Sequence, residues 1–298
     1  MSSISLYLHT ARHLKPRQVF FRGYYFVRKR LGQAAPPNLK GSPDGKPIEL
    51  VSPILHSRSM EGTAFTFLNR THDLGGRIDW NFPDFGKLWC YNLNYFDFLN
   101  QEGMEKETGF ALIYDFIGQA GPGSVGYEPY PTSLRIINWI KFICLHGIRD
   151  VEIDTSLYRH ALHLNRNLEY HLLGNHLLEN SFALLFAACY FSDGKLYGKA
   201  REILEAELAE QILPDGGHFE LSPMYHQILL DRLLDCVNIL AGARPDDSLL
   251  DQLRRTASAM LGWLGQMTFQ NGDIPLVNDA AFGIAPNTAD SAITARIK

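Results

Sequence analysis

The feature that most constrains the fold is an alternation, after residue 100, between helical runs that are apolar all round and runs that are apolar on one face. Residues 181–191 are of the first kind, and residues 194–213 are of the second, with Leu196, Leu204 and Leu208 at helical spacing. A helix that is apolar on every side must be covered on every side. The alternation therefore predicts a mainly all-α fold. We expect an incomplete α/α toroid, in which antiparallel helical hairpins form an inner and an outer layer.

Residue types that favour helix ends give the expected boundaries. Roughly six or seven helices are predicted after residue 100. They are a short helix over 110–119, a helix that Pro131-Thr132-Ser133 begins and that stops near Gly147, a helix capped by Asp154 or Thr155, the apolar run begun by Asn175 or Asn180, the run 194–213, a helix from Ser222-Pro223 to about Ala241, and a helix over 247–269.

The first hundred residues follow a different pattern, which predicts an irregular, aromatic-rich N-terminal region. Residues 33–61 are rich in Pro, Gly and Ser and are typical of a connector. Residues 63–69 alternate as a short strand does. Residues 80–96 are dense in aromatic residues and Asn, which suits either a sugar-binding surface or the edge of a core. We divide the chain into a basic segment with its linker, 1–60, and a main domain, 61–298.

Charge is placed unevenly along the chain. The formal net charge of −4 gives no reason to expect nucleic acid. No Asp or Glu precedes Asp44, however, and eight Lys and Arg residues interleaved with aromatic residues do. Such a segment suits peripheral contact with an anionic membrane or with a polyanionic glycan. The alternative is a helix that packs its aromatic side chains on the core and leaves its cations in solvent.

The four cysteines are far apart and lie within apolar runs, so buried free thiols are expected. No Cys/His spacing typical of metal ligands occurs, and no metal site and no cofactor are predicted. No apolar run is long enough to cross a bilayer. The first residues lack the apolar run of a secretory signal, which predicts a cytoplasmic protein; a periplasmic location through another export route is the alternative.

The segment 215–226 is the first candidate for chemistry. Tyr225 and His226 follow the capped helix start at Ser222-Pro223, where unpaired backbone N–H groups favour negative charge on a catalytic Tyr. His218 and Glu220 lie in the preceding loop, and its two glycines would let a ligand approach the backbone closely.

A second candidate is Asn175-His176, which follows Gly174. An amide can bind a substrate carboxylate, and an adjacent imidazole can share developing charge. The alternative is that Asn175 caps the next helix. Further candidates for substrate contact are Arg135, Asn138 and Trp139 on one helix and Tyr95 in the aromatic segment. A lone Arg on an apolar helix is also typical of a structural side chain.

Five segments in order resemble the helical N-terminal domain of the heparinase II/III-like polysaccharide lyases. They are residues 92–97, 130–139, 174–180, 215–226 and 274–279. The resemblance implies β-elimination on a uronate-containing acidic polysaccharide, carried out between an α/α toroid and a C-terminal β-sandwich. It implies that Asn175 with His176 neutralises the uronate carboxylate, that Tyr225 is the acid–base group and that His226 supports it.

The chain stops at Lys298 without a β-rich half, so we expect a truncated form or one that works with a partner supplying the β domain. Two other functions stay open. One is a non-catalytic module for acidic-glycan binding or polysaccharide assembly. The other is an α/α-toroid glycoside hydrolase, for which Asp215, Glu220 and Asp279 are the candidate carboxylates.

Overall fold

The computed structural model describes residues 14–31, 43–50 and 55–285, and this part of the chain is mainly α-helical. The helices are α1 (Pro16–Arg30), α2 (Lys87–Tyr95), α3 (Lys106–Gln119), α4 (Pro129–His146), α5 (Val151–Arg166), α6 (Gly174–Phe191), α7 (Gly194–Gln211), α8 (Pro223–Ala243) and α9 (Ser248–Met267). The strands are β1 (Met60–Glu61), β2 (Ala64–Phe67) and β3 (Arg70–Asp73).

The helices after residue 100 form two layers, as predicted. Helices α4, α6 and α8 are the inner layer: α6 contacts both of the others, and in α6 every residue from Leu177 to Tyr190 is buried. The amphipathic helices α5, α7 and α9 each cover an inner helix with one face and turn the other to solvent. The run 181–191, which is apolar on every side, thus lies in an inner helix, where neighbouring helices cover all of its faces.

Short connections reverse the chain between successive helices, so the three inner helices run in the same direction. Their side chains agree with this. Asn180 near the start of α6 donates to Ser133 near the start of α4 at 3.1 Å. Further along, Lys141 of α4 pairs with Asp235 of α8 at 2.8 Å. The N-terminal ends of the inner helices therefore lie at one end of the fold.

Residues 43–50, which we name the crossing segment, lie against the opposite end. The Lys46 N–H donates to Tyr190 O of α6, and the Ile48 N–H to Cys144 Sγ of α4. A side chain at Gly242 of α8 would overlap Glu49 O. The crossing segment therefore contacts the C-terminal ends of all three inner helices.

The aromatic-rich region before residue 100 is packed core. Strands β1, β2 and β3 form an antiparallel sheet in that order, and β2 confirms the predicted strand. Phe65 and Phe67 on its buried face contact Phe98 and Trp89. Helix α2 was not predicted, because its aromatic and Asn residues do not favour helix and tertiary packing determines its conformation.

Two helix starts differ from the sequence-based expectation. Asp150 caps α5, accepting hydrogen bonds from the N–H groups of Glu152 and Ile153, so Asp154 and Thr155 lie inside the helix. Helix α6 begins at Gly174, which places Asn175 in its first turn instead of at the cap. The predicted cap Ser222 and the following Pro223 are confirmed for α8. No helix in the described ranges is long and apolar enough to span a bilayer.

Candidate active site

His176 is the best-defined chemical group at the end of the fold where the inner helices begin. Its Nδ1 lies 3.2 Å from Glu169 Oε1, and its ring lies 4.6 Å from that of Tyr130 in the first turn of α4. The Glu169 carboxylate is itself fixed by Asn180, which donates to Oε2 at 3.0 Å. A carboxylate at Nδ1 favours a proton on that nitrogen. The side chain is 37% exposed, so a ligand can reach it.

One turn further along α6, Glu179 belongs to a buried charged cluster around Arg232 of α8. The guanidinium lies 3.8 Å from Glu179, 3.7 Å from Asp97 and 3.8 Å from Asp231. Burial raises the pKa of Glu179 to about 7, and the charge of Arg232 opposes that rise. Near neutral pH this carboxyl group is therefore divided between its protonated and ionised forms.

Asp97 connects this cluster to the aromatic region. Asn138 donates to its Oδ1 at 2.6 Å, and His56 Nε2 lies 3.9 Å away. Burial alone would raise the pKa of Asp97, but His56, Arg232 and the hydrogen bond from Asn138 hold it below its ordinary value. Burial lowers the pKa of His56 to about 4. Asp97 is thus the ionised partner of Arg232.

Tyr225 is half-buried in the first turn of α8, where its N–H donates to the Ser222 hydroxyl oxygen. It precedes Arg232 by seven residues, so the two share a face of the helix. Asn175 precedes Glu179 by four residues and likewise shares its face. Since Glu179 and Arg232 meet, Asn175, His176 and Tyr225 lie at the same end of adjacent helices. Among the described residues, no hydrogen bond or ring contact joins Tyr225 to either of the other two.

His226 and His218 hold the loop before α8 in place. The His218 N–H donates to His226 Nδ1 at 3.3 Å, His226 Nε2 lies 2.9 Å from Met260 O of α9, and His218 Nε2 faces Gln211 of α7. Both side chains are buried, and burial lowers the pKa of each to about 4. His218 is therefore closed off from solvent in this structure, against its predicted contact with substrate, whereas the predicted support of Tyr225 by His226 stays a prediction.

The three predicted substrate-binding residues on α4, which are Arg135, Asn138 and Trp139, are also core residues. Arg135 is fully buried, donates to Gly126 O at 2.7 Å and lies over the ring of Phe116. Asn138 is fully buried and orients Asp97, as described above. Trp139 packs against Phe96 and Phe116. Their predicted contact with substrate is wrong in this structure because no part of them is open to solvent.

Tyr95 and Glu220 have different surroundings. Tyr95 is buried beside Tyr130 and Tyr91, and burial raises its pKa. Glu220 is largely exposed. Its carboxyl group is nevertheless partly shielded from water, and this shielding together with the nearby charge of Asp279 raises its pKa. A contact between Glu220 and substrate stays a prediction, whereas Tyr95 acts mainly in packing.

The glycines of the loop pack against protein instead of exposing backbone to a ligand. A side chain at Gly216 would overlap Ala259 O of α9, and one at Gly217 would meet the Trp263 indole. Asp215 accepts the Gly217 N–H at 3.0 Å and so fixes this turn. The prediction that these glycines admit a ligand is therefore wrong.

Sequence reasoning missed Glu169 and Arg232, which organise the site. Arg232 did carry a signal, since Asp231-Arg232 interrupts an apolar helical run, and buried charges are almost always paired. Glu169 lies in the loop before α6, and its spacing in the sequence gives no comparable signal. Within the described ranges, no three His, Cys, Asp or Glu side chains are grouped so that they could hold a metal ion.

Together the fold and the site define a two-layered helical domain with polar acid–base groups at one end of its inner layer. Comparison with known proteins finds a matching family model for part of the chain. Residues 151–292 match the family described as Heparinase II/III N-terminus. That range contains three of the five segments on which the resemblance was based, and the resemblance is confirmed: this part of the chain is related to the heparinase II/III-like lyases.

The chain is also similar to individual proteins. The chain is 27% identical over 135 residues to a heparin-sulfate lyase from Bacteroides stercoris, an alignment that covers 43% of this chain and 20% of that protein. Among solved structures, a heparinase III matches with a TM-score of 0.47 at 19% identity, over 66% of this chain and 38% of its own. The heparan sulfate lyase HepC from Pedobacter heparinus matches with a TM-score of 0.46 at 19% identity, over 72% and 38%. The chain thus spans about a fifth of the curated relative.

Proposed function

We propose that this chain binds uronate-containing acidic polysaccharide across the N-terminal ends of α4, α6 and α8 and acts on it by β-elimination. The observation that carries the proposal is the fixed, solvent-accessible imidazole of His176, held by Glu169 and Tyr130 beside Asn175. The family match and the heparin-sulfate lyase relative support the class of substrate.

In the proposed reaction the Asn175 side-chain N–H and the His176 ring, with a proton on Nε2 as well as on Nδ1, donate hydrogen bonds to the uronate carboxylate. Stabilising the charge that spreads onto this carboxylate makes the C5 proton more acidic. As the C5–H bond breaks, its electrons form the C4–C5 double bond and the C4–O glycosidic bond breaks. Tyr225 is the acid–base group that takes the C5 proton or protonates the leaving oxygen.

The charged cluster around Arg232 supports this reaction by holding the reacting side chains at a fixed separation. Arg232 and Glu179 hold α6 and α8 together one to two turns below Asn175 and Tyr225. They fix the distance between the carboxylate-binding groups and the proton carrier, and small displacements of such groups cost rate steeply.

The test is to incubate the chain with uronate polysaccharides and follow the ultraviolet absorbance of the unsaturated product. We expect Tyr225→Phe to lower the rate by about 10²-fold or more while binding persists. Asn175→Ala should weaken both binding and turnover. A matched control is Tyr158→Phe, which removes a hydroxyl bonded to Asp193 on the outer layer and should leave the rate unchanged.

Other outcomes would select the alternatives. Binding to polysaccharide without any unsaturated product would overturn the catalytic part of the proposal and support a glycan-binding module. New reducing ends without unsaturation, lost in Glu220→Gln and kept in Tyr225→Phe, would support a glycoside hydrolase.

A further inference from the structure

Helix α1 packs on the main domain through one face. The ring of Phe21 stacks on that of Tyr170 at a centroid distance of 4.5 Å. The Tyr25 hydroxyl donates to Leu168 O, and the guanidinium of Arg28 donates to Arg166 O. These three residues lie at spacings of three or four, as one helix face requires. The inner face of α1 is thus firmly placed on the loop before α6.

The outward face of α1 is apolar, which is the reverse of an ordinary surface helix. Val19, Phe20, Phe26 and Val27, together with Leu31 just after the helix, have exposed fractions between 50% and 66%. On a helical projection the four helix residues fall on the side away from Phe21 and Tyr25. Contiguous apolar surface of this kind marks a contact with another apolar phase or molecule.

The charged residues of α1 itself are all basic. Arg22 is exposed at the side of this face and Arg30 at its C-terminal end, where the Arg30 guanidinium lies 4.4 Å from the centre of the Phe26 ring. No Asp or Glu occurs in residues 1–43. An apolar strip bordered by arginines is complementary to a surface that is anionic outside and apolar just beneath.

We propose that the outward face of α1 docks on an anionic lipid bilayer, with the helix parallel to the membrane plane. The aliphatic residues decide between a bilayer and a dissolved polyanion. Val19, Val27 and Leu31 gain nothing from a hydrated polysaccharide, whereas the boundary of the acyl chains removes their surface from water. The arginines then lie at the level of the headgroups. This inference is independent of the proposed catalytic function.

The experiment is co-sedimentation of the chain with phosphatidylcholine vesicles and with vesicles that also contain phosphatidylglycerol. We expect binding to the anionic vesicles that weakens as salt rises. The double variant Phe20→Ser, Val27→Ser should lower the affinity by about tenfold or more. The variant Arg22→Gln, Arg30→Gln should lower it on anionic vesicles and leave the weak binding to neutral vesicles unchanged.

Leu88→Ser, Val151→Ser is the matched control, because these residues are 55% and 64% exposed on other helices. It should bind vesicles as the unmodified chain does, and circular dichroism should show that all variants are folded. The proposal is overturned if the α1 variants and the control bind vesicles equally. Two other results would also overturn it. One is that the α1 variants lose binding to soluble heparin while their binding to vesicles is unchanged, which would indicate a dissolved polyanion. The other is that the unmodified chain is a dimer and the α1 variants are monomers, which would indicate that a second copy covers this face.

Discussion

Lys141 and Asp235 form an ion pair inside the inner layer, with side chains 1% and 2% exposed. Two charges so far from water are each costly to bury, and their pairing offsets that cost only while both are present. The pair also joins α4 to α8 across the inner layer. A single substitution in the pair therefore leaves one buried charge without the partner that lies 2.8 Å from it.

Lys141→Met should lower the free energy of unfolding by about 3–5 kcal/mol, because it leaves Asp235 buried and unpaired. The double variant Lys141→Met, Asp235→Leu should recover most of the loss. Urea denaturation followed by circular dichroism measures both. Lys199→Met is the surface control: it breaks the largely exposed pair with Glu202 and should change stability by less than about 1 kcal/mol. Equal effects of the two Lys variants would contradict the argument.

At the same scale, sequence reasoning identified the groups at helix starts and not the groups that orient them. Asn175, His176 and Tyr225 are recognisable because each is a polar residue beside an apolar helical run. The bond from Glu169 to His176 depends on how the loop 167–173 folds back, which no local pattern records. Arg135 shows the converse: a lone cation among apolar residues is compatible with a ligand or with burial, and only packing decides.

At the scale of elements, Asp150 shows how a helix start is specified by a short polar side chain just outside the apolar run. It accepts from two backbone N–H groups of α5 and also from the Tyr114 hydroxyl of α3. Positions 150–155 hold four acidic or hydroxyl residues, and Asp150 is the one that the Tyr114 hydroxyl also contacts.

Asp150→Ala should lower the free energy of unfolding by about 1–2 kcal/mol, since two N–H groups of α5 lose their acceptor. Thr155→Ala should cause no loss, because Thr155 lies inside the helix and Ala favours helix. Thermal unfolding of the two variants side by side distinguishes the caps. A larger loss for Thr155→Ala would show that α5 begins later than the structure has it.

The outer and inner helices themselves were predictable because hydrophobic periodicity is a local property. Helix α2 was not predictable in this way. Trp89 and Leu93 in the helix, and Phe96 just after it, are placed by contacts with residues far along the chain. In the packed aromatic region, local sequence patterns therefore do not predict the secondary structure.

At the scale of the whole molecule, burial lowers the pKa of many histidines at once. The affected residues are His56, His146, His160, His163, His171, His218 and His226. The unfolded chain therefore binds more protons than the folded chain below the ordinary His pKa of about 6.5. Protonation therefore favours the unfolded chain as the pH falls from about 6.5 towards the lowered pKa values, which are about 4 for His56, His218 and His226. Glu179 opposes this, because its raised pKa lets the folded chain bind one extra proton in part of the same range.

We expect the free energy of unfolding to fall between about pH 7 and pH 5, because the seven histidines outnumber the carboxyl groups whose pKa burial raises, Asp154, Glu179, Glu207 and Glu220. Urea denaturation at a series of pH values measures the slope. His226→Gln should make it shallower, since the amide does not titrate, and His72→Gln, at a His whose ring stacks on Phe82 in the sheet region, is the control. A stability that is flat or rises over this range would contradict the expectation.

The crossing segment has a consequence for how the domain comes apart. Stacked helical hairpins that touch only their neighbours can lose one unit at a time from an end. Here residues 43–50 contact the C-terminal ends of α4, α6 and α8 together, so separating any one hairpin also strips the segment from the other two. The hairpins are therefore coupled into one cooperative unit.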